Sequence, residues 1–189
     1  MKGETIYLKL LEVEDADKLL ALRQQNRHFL QPFEPLRQES YFTVEEQARM
    51  IASGRLAAQN DQAYAFGVFT VATDVLIGRI ELSGVARGPF QNAFLGYFLD
   101  QACNGRGMMT EAVSLCLAYA FEQLGLHRIQ AAVMPRNLPS IRVLEKAGFR
   151  QEGLARHYLH INGLWEDHAL FAMTVEDRQG MTKSKIAID

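Results

Sequence analysis

Between Gln101 and Ala112 the chain reads QACNGRGMMTEA, with Gly105 and Gly107 flanking Arg106 and an apolar run directly after. A loop feeding a helix N-terminus leaves backbone N–H groups unpaired at the positive end of the helix dipole, and glycines let that backbone come close to an anion. The stretch is therefore a phosphate-site candidate to which Arg106 would add charge, or a tight turn and nothing more. It is neither of two common phosphate loops. No G-x-x-x-x-G-K-[ST] run occurs, and GRGMMT lacks the third glycine of G-x-G-x-x-G. A second chemical feature lies in LIGRIELSG. There Ile80 and Leu82 point one way, and Arg79, Glu81 and Ser83 the other. Glutamate is disfavoured mid-strand, so Glu81 is a candidate proton acceptor, acting directly or through a water. The alternative is a solvated face, or an ion pair with Arg79. Asp167 and Glu152 are weaker candidates for the same role.

Other reactive side chains invite plainer readings. His157, His160 and His168 match no common zinc spacing, and strand alternation puts His157 and His160 on opposite faces, so no metal is expected. Cys103 stands beside the positive helix start, which could lower its pKa, while Cys116 sits in the apolar helix and reads as core. His28, Phe29, Phe33 and Trp165 read first as packing and second as the lining of an acceptor site.

The elements that must hold these residues follow from periodicity and turn chemistry. Strands are expected over TIYLKL, AYAFGVFTV, VLIGRIELSG, NAFLGYFLD, HRIQAAVM, FRQEGLARHYLHI and WEDHALFAMTV. Helices are expected over EDADKLLALRQQ, with Asp15 as cap, and TVEEQARMIASGRLAAQ, with Thr43 and Glu46 at capping-box spacing. A buried helix follows over Glu111 to Leu124. The last is NLPSIRVLEKAG, with Asn137 as cap, Pro139 in its first turn and Gly148 past its end. NRHFLQPFEPL reads as a packed loop. The order β-α-α-β-β-β-α-β-α-β-β implies an α+β domain around a mixed sheet. The domain is expected over 1–176, with a polar, frayed tail over 177–189.

Composition agrees with a single globular domain: 189 residues, 48% apolar, 22% charged, net charge −2. That charge gives no reason to expect nucleic-acid binding. No signal-peptide pattern and no run of about 18 apolar residues is visible. With two cysteines and no disulfide framework, the expectation is a cytoplasmic protein without a membrane partner.

The ordered set LGYFLD, NGRGMM, TEA, LHRIQA, N-x-x-S-x-x-x-L-E-K-A-G-F, EG and NGLWEDH resembles the GNAT N-acetyltransferase family, in its ribosomal-protein (RimJ/RimL) branch, over about residues 4–176. The family's cofactor loop runs Q/R-x-x-G-x-G/A. Here Asn104, Gly107 and Met109 hold its fixed places, departing at the first and last, as members of this branch commonly do. The resemblance implies a largely antiparallel seven-stranded sheet with helices on both faces and a splay between two central parallel strands. Acetyl-CoA would lie in that splay, its pantetheine against backbone near Phe98 and Leu99. Its pyrophosphate would sit on the loop of Asn104, Gly105, Arg106, Gly107, Met108, Met109 and Thr110, with Asn137 touching the cofactor as well as capping. Transfer to an amine needs a proton acceptor, donors for the oxyanion and an acid for the thiolate. Many members carry that acid as a tyrosine seven residues after the capping asparagine, where this chain has Leu144. In this branch a first-turn serine takes the role, which falls on Ser140, although Ser140 could equally serve only the cap. The family uses direct attack, against a covalent acetyl-Cys103. The acceptor implied is a protein N-terminal α-amine. Alternatives are a small amine such as a polyamine or antibiotic, or a non-catalytic acyl-CoA sensor. Homodimers are common in the family.

Overall fold

The computed structural model describes residues 1–186, and the backbone alone for 181–186. One sheet holds β1 (Ile6–Leu10), β2 (Tyr64–Thr70), β3 (Leu76–Ala86), β4 (Asn92–Leu99), β5 (Arg128–Val133), β6 (Arg150–Ile161) and β7 (Leu164–Thr174) in the order β1-β2-β3-β4-β5-β7-β6. All neighbours are antiparallel except β4 and β5. A parallel pair requires a crossover, here formed by α4 (Met108–Ala118) and a π-helical turn over Tyr119–Gln123. The remaining helices are α1 (Ala16–Gln25), α2 (Arg27–Leu30), α3 (Val44–Gln59), α5 (Leu138–Lys146) and α6 (Val175–Ile186).

The alternation of the strands sorts the sheet into two faces. On one, Ile80, Leu82, Ala93, Leu95, Ile129, Ala131, Ala169 and Phe171 pack against Met109, Val113, Cys116 and Leu117 of α4 and Leu144 of α5. On the other, Phe69, Leu76 and Phe98 pack against Leu19 and Leu22 of α1 and Ile51 of α3. Burying a side chain of this size contributes about 1.5–3 kcal/mol, so both helical layers are held by the sheet rather than by helix propensity.

All seven expected strands form. Several local details differ from the reading of the sequence, each for a physical reason. Asp15 does sit at the start of α1, but its carboxylate accepts from the Glu12 N–H at 3.1 Å and pairs with Lys9 at 3.0 Å, so it ties the strand to the helix instead of capping α1. Thr43 caps α3 by accepting from Glu46 N–H at 3.2 Å, while the Glu46 carboxylate turns to Arg49 and leaves the capping box half made. The packed loop after α1 folds into α2 and a 3-10 turn over Gln31–Phe33. The expected frayed tail is helical from Val175 to Ile186; residues 187–189 lie outside the described residues.

Candidate active site

β4 and β5 pair only at Asn92–Arg128, Ala93–Ile129 and Phe94–Gln130. Beyond Phe94 the two strands part, and Leu95 to Leu99 face Ala131 to Met134 across a cleft of about 320 Å³. The cleft is lined from both faces of the sheet. The α4–α5 side contributes Tyr97, Asn104, Met109, Asn137, Ser140 and Val143; the opposite side contributes Phe29, Phe33, Glu34, Phe98 and His168.

The glycine loop leads straight into α4. Gly105 and Gly107 have φ of +76° and +78°, and a Cβ built on either meets nothing within 4 Å. Glycine is needed for the left-handed backbone, not to relieve crowding. Gly107 is the helix N-cap, so α4 starts at Met108, three residues earlier than the apolar run alone suggests. The first intrahelical bond is Glu111 N–H to the Gly107 carbonyl at 3.0 Å. The N–H groups of Gly105, Arg106, Gly107, Met108, Met109 and Thr110 have no hydrogen-bond partner among the described residues, and Arg106 enters no ion pair there. Open backbone donors, a helix N-terminus and an unpaired guanidinium together fit a pyrophosphate.

Glu111 anchors this segment from behind. It accepts from Glu4 N–H at 2.5 Å and Thr5 N–H at 3.1 Å, and from the Thr5 hydroxyl. Burial pushes its carboxyl up, but the Thr5 hydroxyl and the N–H groups of Thr5, Glu4 and Ile6 outweigh this and hold it below the usual range. The start of β1 is thereby stapled to the first turn of α4.

Ser140 lies where α5 meets the cleft. The cap is made by Asn137, whose side-chain oxygen accepts from the Ser140 N–H at 3.3 Å. The Ser140 hydroxyl is left out of the cap and lies 2.9 Å from the Tyr97 hydroxyl, which is also 3.1 Å from the Ser140 carbonyl oxygen. Burial pushes the Tyr97 phenol above its usual range, although the bond to Ser140 works the other way. Leu144, at the place of the family's tyrosine, is fully buried core. The phenol beside Ser140 comes from β4 instead. Reading LGYFLD only for its backbone missed Tyr97; its place one residue before the cleft-lining Phe98 was the available signal.

Glu81 is not brought into the cleft. It lies on the α1–α3 face of β3 with an oxygen 2.9 Å from Arg79, the ion pair that was the plainer of its two readings. Its cross-strand neighbour on β4 is Gly96. The weaker carboxylates are likewise engaged elsewhere: Asp167 accepts from the His157 N–H at 2.8 Å, and Glu152 pairs with Arg128 and Arg150. The carboxylate that does line the cleft is Glu34, paired with Arg23 at 2.5 Å, in the segment first read as packing.

The histidines stay apart. A bulge between Ala155 and Leu159, with His157 at φ +49°, interrupts the alternation assumed for β6. His160 packs on Trp165, and both project from the β6–β7 hairpin, with Trp165 63% exposed and neither in the core nor in the cleft. His168 alone turns inward, 3% exposed, in the cleft wall. Among the described residues no three His, Cys, Asp or Glu gather as metal ligands. Cys103 does not gain acidity: burial, then the Asp100 charge, push its thiol up and outweigh Arg106. Both cysteines are free, and burial pushes Cys116 up to about 12.

Comparison with known proteins agrees with this geometry. The family model described as an acetyltransferase (GNAT) domain matches residues 5–150. The chain is 51% identical to a probable N-acetyltransferase, YjcK, of Bacillus subtilis (strain 168), over 94% of this chain and 98% of that protein. It is 37% identical to the [ribosomal protein uS5]-alanine N-acetyltransferase of Escherichia coli (strain K12), covering 92% and 90%. Among solved structures it is similar to the ribosomal-protein-S5-alanine acetyltransferase of Vibrio fischeri, with a TM-score of 0.89 at 35% identity over 94% and 97% of the two chains. It is also similar to Mycobacterium smegmatis RimJ in complex with CoA-disulfide, with a TM-score of 0.87 at 30% identity over 91% and 83%.

Proposed function

Given that the chain belongs to the acetyltransferase (GNAT) family and is an acetyl-CoA-dependent N-acetyltransferase, we propose that its acceptor is a protein N-terminal α-amine of the ribosomal-protein type. The observation that carries this reading is the 37% identity, over nearly the whole of both chains, to the Escherichia coli enzyme named for uS5 alanine.

Acetyl-CoA brings an activated acetyl thioester. The open N–H groups of Gly105 to Thr110 and the Arg106 guanidinium would bind its pyrophosphate. The unpaired β4 edge near Phe98 and Leu99 would hold its pantetheine, with Asn104, Met109 and Asn137 alongside. Backbone N–H groups of that splayed edge are the candidate donors to the oxyanion. Ser140, steadied by Tyr97, would give a proton to the departing thiolate. Direct attack fits this site, since Cys103 does not line the cleft and burial pushes its thiol pKa up. A cytoplasmic setting fits this acceptor and the two free cysteines, and among the described residues no helix is long and apolar enough to cross a membrane.

The test is thiol release from acetyl-CoA over a panel of peptides with different N-terminal residues, a polyamine and an aminoglycoside. The expected result is turnover on peptides, with the acetyl group found on the α-amine. Turnover confined to small amines would replace the acceptor, and acetyl-CoA binding with no turnover on any amine would support a sensor instead.

A further inference from the structure

We propose that His168 is the group that takes the proton from the acceptor amine. The inference rests on the acetyltransferase reading of the cleft and adds the residue on its acceptor side.

On β7 the side chains of Ala169, Phe171 and Met173 enter the core on the α4–α5 face, so His168 projects to the opposite face. That is the side of the cleft away from the glycine loop and from Ser140. Its neighbour β5 is the strand that parts from β4, and β7 pairs with it as far as Val133–Ala169, next to His168. The imidazole is therefore set at the point where the sheet opens, 3% exposed and in the cleft wall.

The hydrogen bonding fixes its proton. Nδ1 lies 3.0 Å from the Glu166 carbonyl oxygen. A carbonyl can only accept, so Nδ1 carries the hydrogen, and the neutral ring presents Nε2 as a bare lone pair. Nε2 has no hydrogen-bond partner among the described residues. The Tyr158 ring of β6 packs against the imidazole at 5.7 Å between centroids and holds its plane. A nitrogen acceptor without a partner, on a buried residue in the wall of a cleft whose other side carries a hydroxyl acid, is arranged for proton transfer.

Two carboxylates compete for the role, and both are engaged. Glu81 is paired with Arg79 outside the cleft. Glu34 lines the cleft but is held by Arg23, whose guanidinium also stacks 3.7 Å from the Phe98 ring centroid. Glu34 is placed to attract a cationic amine, and His168 to deprotonate it. His168 Nε2 takes one proton from the ammonium, the freed lone pair forms the new C–N bond at the thioester carbonyl, and as the C–S bond breaks the nitrogen gives up its second proton to solvent. The thiolate takes a proton through Ser140, and His168 returns its own to solvent, so the products are the acetylated amine and free CoA thiol.

The test uses the full chain and whichever amine the unaltered protein accepts, so an error in the acceptor is seen first and separately. His168→Gln keeps a donor for the Glu166 carbonyl but cannot carry a proton. Turnover should fall about 100-fold or more, while the thermal shift with acetyl-CoA is unchanged. Imidazole added to His168→Ala should restore rate in proportion to its concentration, and should do nothing for Ser140→Ala. Glu34→Gln should raise KM for the amine more than it lowers kcat. Should His168→Gln fail to fold, His168→Asn and the imidazole series decide. A folded His168 variant at full turnover, a loss that imidazole does not restore, or a loss of turnover in Glu34→Gln with His168→Gln still active, overturns the assignment.

Discussion

At the scale of single residues, the reaction divides between side chains that leave other roles untouched when changed. Ser140→Ala removes a hydroxyl that takes no part in the helix cap, since Asn137 bonds to the Ser140 backbone N–H. It also leaves Tyr97 a partner, the Ser140 carbonyl oxygen. Stability should therefore hold, while kcat and kcat/KM fall together if the hydroxyl acts only in the transition state. A Ser140→Ala protein at full speed would remove the acid role. Glu81→Gln breaks only a partly exposed ion pair with Arg79, a contact worth about 0–1 kcal/mol. It is expected to leave turnover near that of the unaltered protein, and a loss comparable to that of His168→Gln would return the base role to Glu81.

At the scale of elements, the loop and the helix it feeds form one unit. A Cβ at Gly107 meets nothing within 4 Å, so Gly107→Val is not opposed by crowding at that atom. Its cost to the fold is the left-handed backbone, about 1–2 kcal/mol. Its larger effect falls on ligand binding, because a side chain there stands over the open N–H groups. Acetyl-CoA at about 100 times its dissociation constant should stabilise the unaltered protein by about 2.7 kcal/mol, measurable as a thermal shift, and Gly107→Val should lose most of it. A full shift in the variant would place the cofactor elsewhere. Glu111→Ala removes the staple from β1 to α4, whose hydrogen bonds to a charged acceptor are worth about 1.5–3 kcal/mol each before water replaces them. Denaturant melting should show a loss, and a midpoint equal to that of the unaltered protein would show that water substitutes fully.

At the scale of the whole molecule, several carboxylates act as ties between elements and are held below their usual range. Asp15 joins β1 to α1. Burial raises its carboxyl, but the Glu12 N–H, Lys9 and Lys18 overcome that. Asp177 joins α6 to the end of β7 and to Arg150 in the same balance of burial against hydrogen bonds from Thr174. With Glu111 these have folded-state values below the unfolded ones. Their contribution is present above the ordinary carboxylate value of about 4 and is lost as pH falls through the lowered one. Thermal melts should thus be flat at neutral pH and fall steeply below about pH 4. Glu111→Gln should make that fall shallower, and an unchanged slope would remove Glu111 from the set.

The sequence by itself determined what depends on neighbours along the chain. The seven strands, the cap at Asn137 and the turn chemistry of Gly105 and Gly107 were legible because periodicity, capping and left-handed φ are local properties. The order of motifs gave the family and a candidate cofactor loop. Only the tertiary structure decided which side chains share the cleft. Glu81 read as the base candidate and His168 only as one of three histidines without zinc spacing, yet their strands hold different places in the sheet. β3 is paired along both edges, whereas β7 lies beside β5, the strand that leaves β4. Tyr97 met Ser140 across 43 residues of sequence because α5 packs over the splay. Glu34 entered the cleft because Arg23 holds its side chain while its carbonyl accepts from the Asn162 N–H at 2.9 Å. Such contacts depend on register and layer packing between distant segments, which no periodicity within one segment encodes.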